Sequence, residues 1–154
     1  MVMYKVELSE DFNVLLQCIE LGHQQFDEVV GAKGEIDWNL DTKMLKLMFD
    51  AGLIHLMVAR DEESKIIGYF CNLINLDLFT KVYQAKEIAI FVHPDHRKTG
   101  VFKDMLAEME KLLIENGVKV QHLAFQKGHN ETMPLRFGYK PLEVVYEKVL
   151  EEEE

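Results

Sequence analysis

Cysteine, proline and tryptophan are scarce in this chain of 154 residues, which has two, three and one of them respectively. The two cysteines, Cys18 and Cys71, stand alone without paired spacing. That excludes a disulfide scaffold and a cysteine-based zinc site, and leaves each thiol as a small buried hydrophobe. Apolar and charged residues make up 48% and 29% of the chain, with only nine glycines, a balance that excludes disordered and collagen-like classes. No apolar run approaches the roughly 20 residues of a membrane span. The start, Met1-Val2-Met3-Tyr4-Lys5, carries no signal-peptide pattern, so the expectation is a cytoplasmic protein with no membrane partner. Positive charge is also short: 17 Lys and Arg face 27 Asp and Glu, a formal net charge of −10. Neutralising a duplex requires clustered cations, so a nucleic-acid partner is not expected and any anionic ligand must be held locally.

What is present reads as one domain over residues 1–150, followed by an acidic tail, Glu151 to Glu154. Tyr4 to Leu8 predicts a first strand. Ser9 then opens a helix whose stripe Phe12, Leu15, Leu16, Ile19, His23, Phe26 and Val30 recurs at helical spacing. Gly31 and Gly34 break the pattern, and Met44, Leu45, Leu47 and Met48 predict a shorter second helix, as core or pocket wall, ending near Gly52. Leu53 to Ala59 and Ile66 to Leu73 read as a hairpin around Asp61-Glu62-Glu63-Ser64, with a further strand at about Ala85 to Val92. Phe102, Met105, Leu106, Met109, Leu112 and Leu113 share one face of a helix that Asn116-Gly117 ends. Val118 to Phe125 predicts a strand, residues 128–137 a polar connection with a short helix around Pro134, and Leu142 to Leu150 a final strand. The order is β-α-α-β-β-β-α-β-α-β, an α+β domain with a mixed sheet.

The most informative segment is Phe91-Val92-His93-Pro94-Asp95-His96-Arg97-Lys98-Thr99-Gly100-Val101-Phe102-Lys103. An apolar strand runs into a basic, glycine-containing turn and directly into an amphipathic helix. Amides at such a helix start lack intrahelical partners and, with the helix dipole, favour phosphate. Pro94 closes the strand, Thr99 is placed to cap the helix, and Gly100 lets the backbone approach a bulky pyrophosphate. Arg97, Lys98 and Lys103 form the local basic island. On spacing alone the same segment also suits an ordinary strand-to-helix connection.

The segment resembles the V-x-P-x-x-R-x-x-G-x-G/A pattern of the GNAT superfamily of N-acetyltransferases, in Val92, Pro94, Arg97 and Gly100, with Phe102 where that family usually has Gly or Ala. Phe137-Gly138-Tyr139-Lys140-Pro141 is similar to the family's later L-G-F/Y-x-P signature, and compact phage-type acetyltransferase-like proteins are the nearest in form. The resemblance implies a mainly antiparallel central sheet flanked by helices, acetyl-CoA as co-substrate, and acetyl transfer to a primary amine on a small molecule or peptide. It implies a cofactor cradle of Phe91, Val92, Arg97, Lys98, Thr99, Gly100, Val101, Phe102 and Lys103; His129 and Asn130, at the start of the last connection, suit either a cofactor contact or a simple turn.

A neutral amine must attack the thioester, so a base is needed, and Glu87 is the candidate, directly or through water. The family's tyrosine acid is missing, since its place falls on Pro134; Tyr139 is the candidate substitute and Tyr146 a weaker one. His93 and His96 flank the loop, but Pro94 between them and the lack of a convincing third ligand argue against metal. Trp38 and Asp41 fall where the family walls its acceptor pocket, and Asp27, Glu28 and Asp37 suit either a cationic acceptor or a solvated surface. The resemblance also allows a homodimer, and a phage-encoded form would sit in the host cytoplasm. Phe102 and Pro134 support the alternative, a catalytically inactive binding or structural protein on the same fold.

Overall fold

The computed structural model describes residues 3–29, 38–125 and 130–150, with side chains except at 25–29. The expectations for Val30, Gly31, Gly34, Asp37, His129 and the tail Glu151 to Glu154, and for the side chains of Phe26, Asp27 and Glu28, fall outside that description.

Hydrophobic runs too apolar for a one-sided sheet build its centre. In β2 (Ile54–Asp61) and β3 (Ile66–Leu76), successive residues are buried on both faces. They pair with each other antiparallel, β1 (Tyr4–Ser9) adds to β2, and β4 (Tyr83–Val92) adds to β3. β5 (Val120–His122) joins β4 in parallel, giving one sheet in the order β1-β2-β3-β4-β5. A parallel neighbour needs a crossover, and α3 (Val101–Glu115) supplies it. Met57, Phe70 and Ala85 of one face pack under Met105, Leu106, Met109 and Leu113 of α3. Leu56, Val58, Tyr69, Cys71 and Phe91 of the other face pack with Leu15 and Cys18 of α1 (Phe12–Val29), and Leu45, Met48 and Phe49 of α2 (Thr42–Asp50) lie against the same cluster. Met44 and Leu47 point outward, 52% and 66% exposed, so only half of the apolar set of α2 is core.

Local chemistry fixes the connections. The Asp61 carboxylate accepts from the amides of Glu63 and Lys65, each at 2.9 Å, which closes the β2–β3 turn. Asp41 caps α2 by accepting from the Met44 amide at 2.9 Å. Asn116 caps the end of α3.

The carboxy-terminal expectations need correction. The strand expected over Val118 to Phe125 shortens to three paired residues, and the helix near Pro134 is one 3-10 turn, Met133–Phe137. The segment Leu142 to Leu150 is not a strand at all, and Val145 and Tyr146 are 81% and 90% exposed. Alternation marks a segment that fits a sheet, but a strand exists only where a ladder satisfies its backbone. Among the described residues nothing pairs with the outer edge of β5.

Gly22 of α1 shows how tightly the second core is closed: a Cβ there would lie 2.0 Å from the Tyr69 hydroxyl. In an exposed helix, Gly→Ala stabilises by about 1 kcal/mol. Here the methyl must displace a buried ring, so Gly22→Ala is expected to destabilise by about 1–3 kcal/mol and lower Tm by several degrees in calorimetry.

Candidate active site

The parallel ladder between β4 and β5 is short. Gln84, Ala85 and Lys86 pair with Val120, Gln121 and His122, and there the pairing ends. The next residue on β4 is Glu87, which is only 8% exposed. Its carboxylate accepts from the Ala124 amide at 3.1 Å, so a side chain bridges the point where the two backbones part. Opposite, the register with β3 jumps from Cys71↔Ala89 to Asn72↔Glu87, which makes Ile88 the extra residue of a β-bulge. The bulge reverses the inside–outside phase of β4. Ala85 packs under α3, whereas Ala89 and Phe91 pack on the α1 side.

Burial pushes the Glu87 carboxyl up to about 7; the Ala124 amide and then the Lys86 ammonium pull against that rise. Tyr69 and Cys71 lie near enough for the carboxylate to raise them further, on top of their own desolvation, and Cys71 reaches about 12. Both therefore stay uncharged around neutrality. Glu87 is thus a buried carboxyl that exchanges its proton near pH 7, at the point where β4 and β5 part.

The expected anion loop lies at the end of β4. His93 accepts from the Asp95 amide at 3.2 Å and starts a 3-10 turn, Pro94–His96, while the His93 and His96 rings meet edge to face. Arg97 donates from Nε to the Val92 carbonyl at 2.9 Å, folding the loop back on its own strand. The Thr99 hydroxyl donates to the His96 carbonyl. It does not cap the helix, as expected from sequence; Gly100, at φ +95°, is the N-cap and offers no side chain. Lys98 is also left-handed, at φ +69°, a conformation that costs a residue with a Cβ and persists where the surroundings impose it. The first helical bond of this turn runs from the Asp104 amide to the Gly100 carbonyl at 2.9 Å. The amides of Val101, Phe102 and Lys103 therefore precede the helical ladder with no side-chain cap in front of them.

Long-range contacts aim this helix start. Tyr4 of β1 donates its hydroxyl to Asp104 and lies against Gly100. The Asp104 bond, with burial, raises the phenol to about 12. Phe102, the large residue at the family's usual Gly or Ala position, is half-buried and packs on Phe137 with ring centroids 5.6 Å apart, against the core under α3. Tyr139 donates its hydroxyl to Glu110 at 3.0 Å, and burial followed by that carboxylate raises its pKa.

The structure thus gathers Arg97, Lys98, Thr99, Gly100, Val101, Phe102 and Lys103 in one turn and helix start at the end of the strand that carries Glu87. The side chains of Phe91 and Val101 are buried, so these two offer a ligand only their backbone. Tyr139 is tied to the middle of α3, and Asn130, at φ +54°, begins the turn into Met133–Phe137. Trp38 stacks on His23, 4.2 Å between centroids, and Asp41 is occupied as a helix cap. Among the described residues no cluster of three or more metal-ligating side chains occurs. Sequence reasoning missed Tyr4, the bulge at Ile88 and a buried amide pair, Asn72 with Gln121. Asn72 was detectable in principle, as a polar residue inside the apolar run Ile66–Leu76.

With this geometry in hand, comparison with known proteins is informative. The model of the Acetyltransferase (GNAT) family matches residues 17–135, which include Glu87 and the whole loop. No curated protein matches the sequence. Among solved structures, an aminoglycoside acetyltransferase from an uncultured soil metagenomic sample, in complex with trehalose, superposes with a TM-score of 0.73 at 18% identity, covering 97% of each chain. A protein of Clostridium acetobutylicum described as a predicted acetyltransferase, solved with acetyl-CoA, gives 0.73 at 15% identity over 96% of each chain. A ribosomal-protein-alanine N-acetyltransferase of Brucella melitensis gives 0.66 at 13% identity over 97% of this chain and all of the other. The resemblance read from the loop and the late glycine motif is thereby met by a match over most of the sequence: the chain belongs to the GNAT family of acetyltransferases.

Proposed function

We propose that this protein is an N-acetyltransferase that moves an acetyl group from acetyl-CoA to a primary amine on a small molecule or peptide. The observation that carries the reading is the pairing of two features on one strand. A buried carboxyl stands where β4 and β5 part, and an uncapped helix start with a basic turn stands at the strand's end. The donor set fits a pyrophosphate: the amides of Val101, Phe102 and Lys103, backed by the side chains of Arg97, Lys98 and Lys103. Because Phe102 packs on Phe137, its side chain does not argue for an inactive cradle.

Acetyl-CoA, when bound, supplies an acetyl group activated as a thioester. Glu87 takes a proton from the incoming ammonium, directly or through one water, so that the nitrogen lone pair is free. Its pKa of about 7 suits that task, since it is ionised at slightly alkaline pH yet basic enough to accept. Backbone amides released at the Ile88 bulge are the candidate donors for the charge that develops on the carbonyl oxygen. Tyr139 has its hydroxyl proton committed to Glu110, so its assigned part is to brace α3. The net charge of −10 favours a cationic acceptor.

Isothermal titration calorimetry with acetyl-CoA and with desulfo-CoA tests the cradle. Both are expected to bind, and Arg97→Ala/Lys98→Ala to weaken them by about tenfold or more; a wild-type protein that binds neither would exclude the enzyme. Release of free CoA thiol, followed across a panel of amines, tests the base. Since the carboxylate is the working form, kcat/KM is expected to rise with pH through about 7 and level off above it. Glu87→Gln is expected to lose roughly a hundredfold in kcat together with that acidic limb. Unchanged turnover in the variant would remove Glu87 from the mechanism.

A further inference from the structure

β5 is an edge strand of three residues, held to β4 by three register pairs, and so short a strand has little hold of its own. Yet Ala124, two residues past its end, keeps its amide on the Glu87 carboxylate. Something must fix the position of β5 along the sheet. The Lys119 amide on the Tyr83 carbonyl at 3.0 Å and the packing of Val118 and Leu123 in the α3-side core hold its ends, and among the described residues a side-chain pair adds a lock on its register. Asn72 Nδ2 donates to Gln121 Oε1 at 2.8 Å, and Gln121 Nε2 donates back to Asn72 Oδ1 at 2.9 Å. Asn72 is on β3 and Gln121 on β5, so the pair reaches across β4, a span of two strand spacings, about 9.6 Å. Gln121 Nε2 also approaches the carbonyls of His122 at 3.0 Å and Ala85 at 3.5 Å.

We propose that Asn72 and Gln121 are positioning residues for Glu87: their reciprocal amide bonds clamp β5 to β3 so that the Ala124 amide stays on the Glu87 carboxylate. Two arguments support this beyond the contact itself. First, Asn72 is fully buried, and a buried amide without its partner is costly. A one-residue slip of β5 would replace Gln121 by Val120 or His122 opposite Ala85, orphan Asn72, and move Ala124 by about 3.3 Å, beyond hydrogen-bond reach. Second, Asn72 is the cross-strand partner of Glu87, yet its amide is turned onto Gln121 and makes no hydrogen bond to the carboxylate. The carboxyl is left with one amide donor. The other groups acting on it are the Lys86 ammonium on its own strand and Tyr69 and Cys71 of β3, both uncharged near neutrality.

The consequence for catalysis rests on the reading of Glu87 as the base, but the clamp can be measured without any acetyl transfer. Carbon-13 NMR titration of the Glu87 carboxyl and hydrogen exchange of the Ala124 amide, in wild type and Asn72→Leu, read it directly. With the clamp removed, the Ala124 bond loosens and the carboxylate loses its donor. The midpoint is expected to rise by about half a pH unit or more, and Ala124 exchange to accelerate by about tenfold or more. A folded Asn72→Leu protein with both readouts unchanged would overturn the proposal. Should that core variant not fold, Gln121→Ala, at a half-buried edge position, is expected to accelerate Ala124 exchange to the same degree, and unchanged exchange there overturns the proposal equally. A carboxyl midpoint that moves in Asn72→Leu while the acidic limb of kcat/KM stays in place supports the clamp and discards Glu87 as the base.

Discussion

The parallel pairing of β4 with β5 stops after Lys86 and His122, and the site depends on where it stops. One more rung would carry the pairing on to Glu87. A β-ladder ordinarily runs until its residues run out, so an early end needs a cause. Here the causes meet at one level of the sheet: a bulge at Ile88 that changes the phase of β4, and a carboxylate that takes the Ala124 amide in place of a backbone carbonyl. The buried carboxyl is the price of the opening, and its raised pKa follows from the same geometry.

The second half of the site depends on the first through a rigid connection. β4 ends in the loop that Arg97 ties back to Val92, and α3 starts at Gly100 without a side-chain cap. A loop with left-handed Lys98 and Gly100 would not keep its form alone. It is held from the far edge of the sheet by Tyr4, which meets Gly100 and Asp104, and from the carboxy-terminal segment by Phe137 on Phe102. The first strand and the late glycine motif, distant in sequence from the loop, thus act on the same helix.

Much of the architecture was legible because it is periodic. The stripes of α1 and α3, the double-sided apolar runs of β2 and β3, and the Asn116-Gly117 stop each follow from local spacing and local chemistry. The failures share one character. Thr99 looked like a cap because its side chain has the right chemistry; its hydroxyl bonds to His96, and the helix begins one residue later. Leu142 to Leu150 looked like a strand because it alternates, but alternation names a preference and not a partner.

The sequence by itself determined the α+β class, the basic, glycine-containing turn between a strand and a helix, and that Glu87 begins the apolar stretch leading to it. Those properties are local: each is set by residues within one turn or one strand of each other. Tertiary structure alone decided that Glu87 would be buried and titrate near neutrality, that Asn72 would pair with Gln121, and that Tyr139 would be bound to Glu110. Burial and hydrogen-bond partnership depend on which strands become neighbours and where their pairing ends. In this protein that was settled by hydrogen bonds between residues 37, 49 and 29 apart in the chain, a separation no local pattern records.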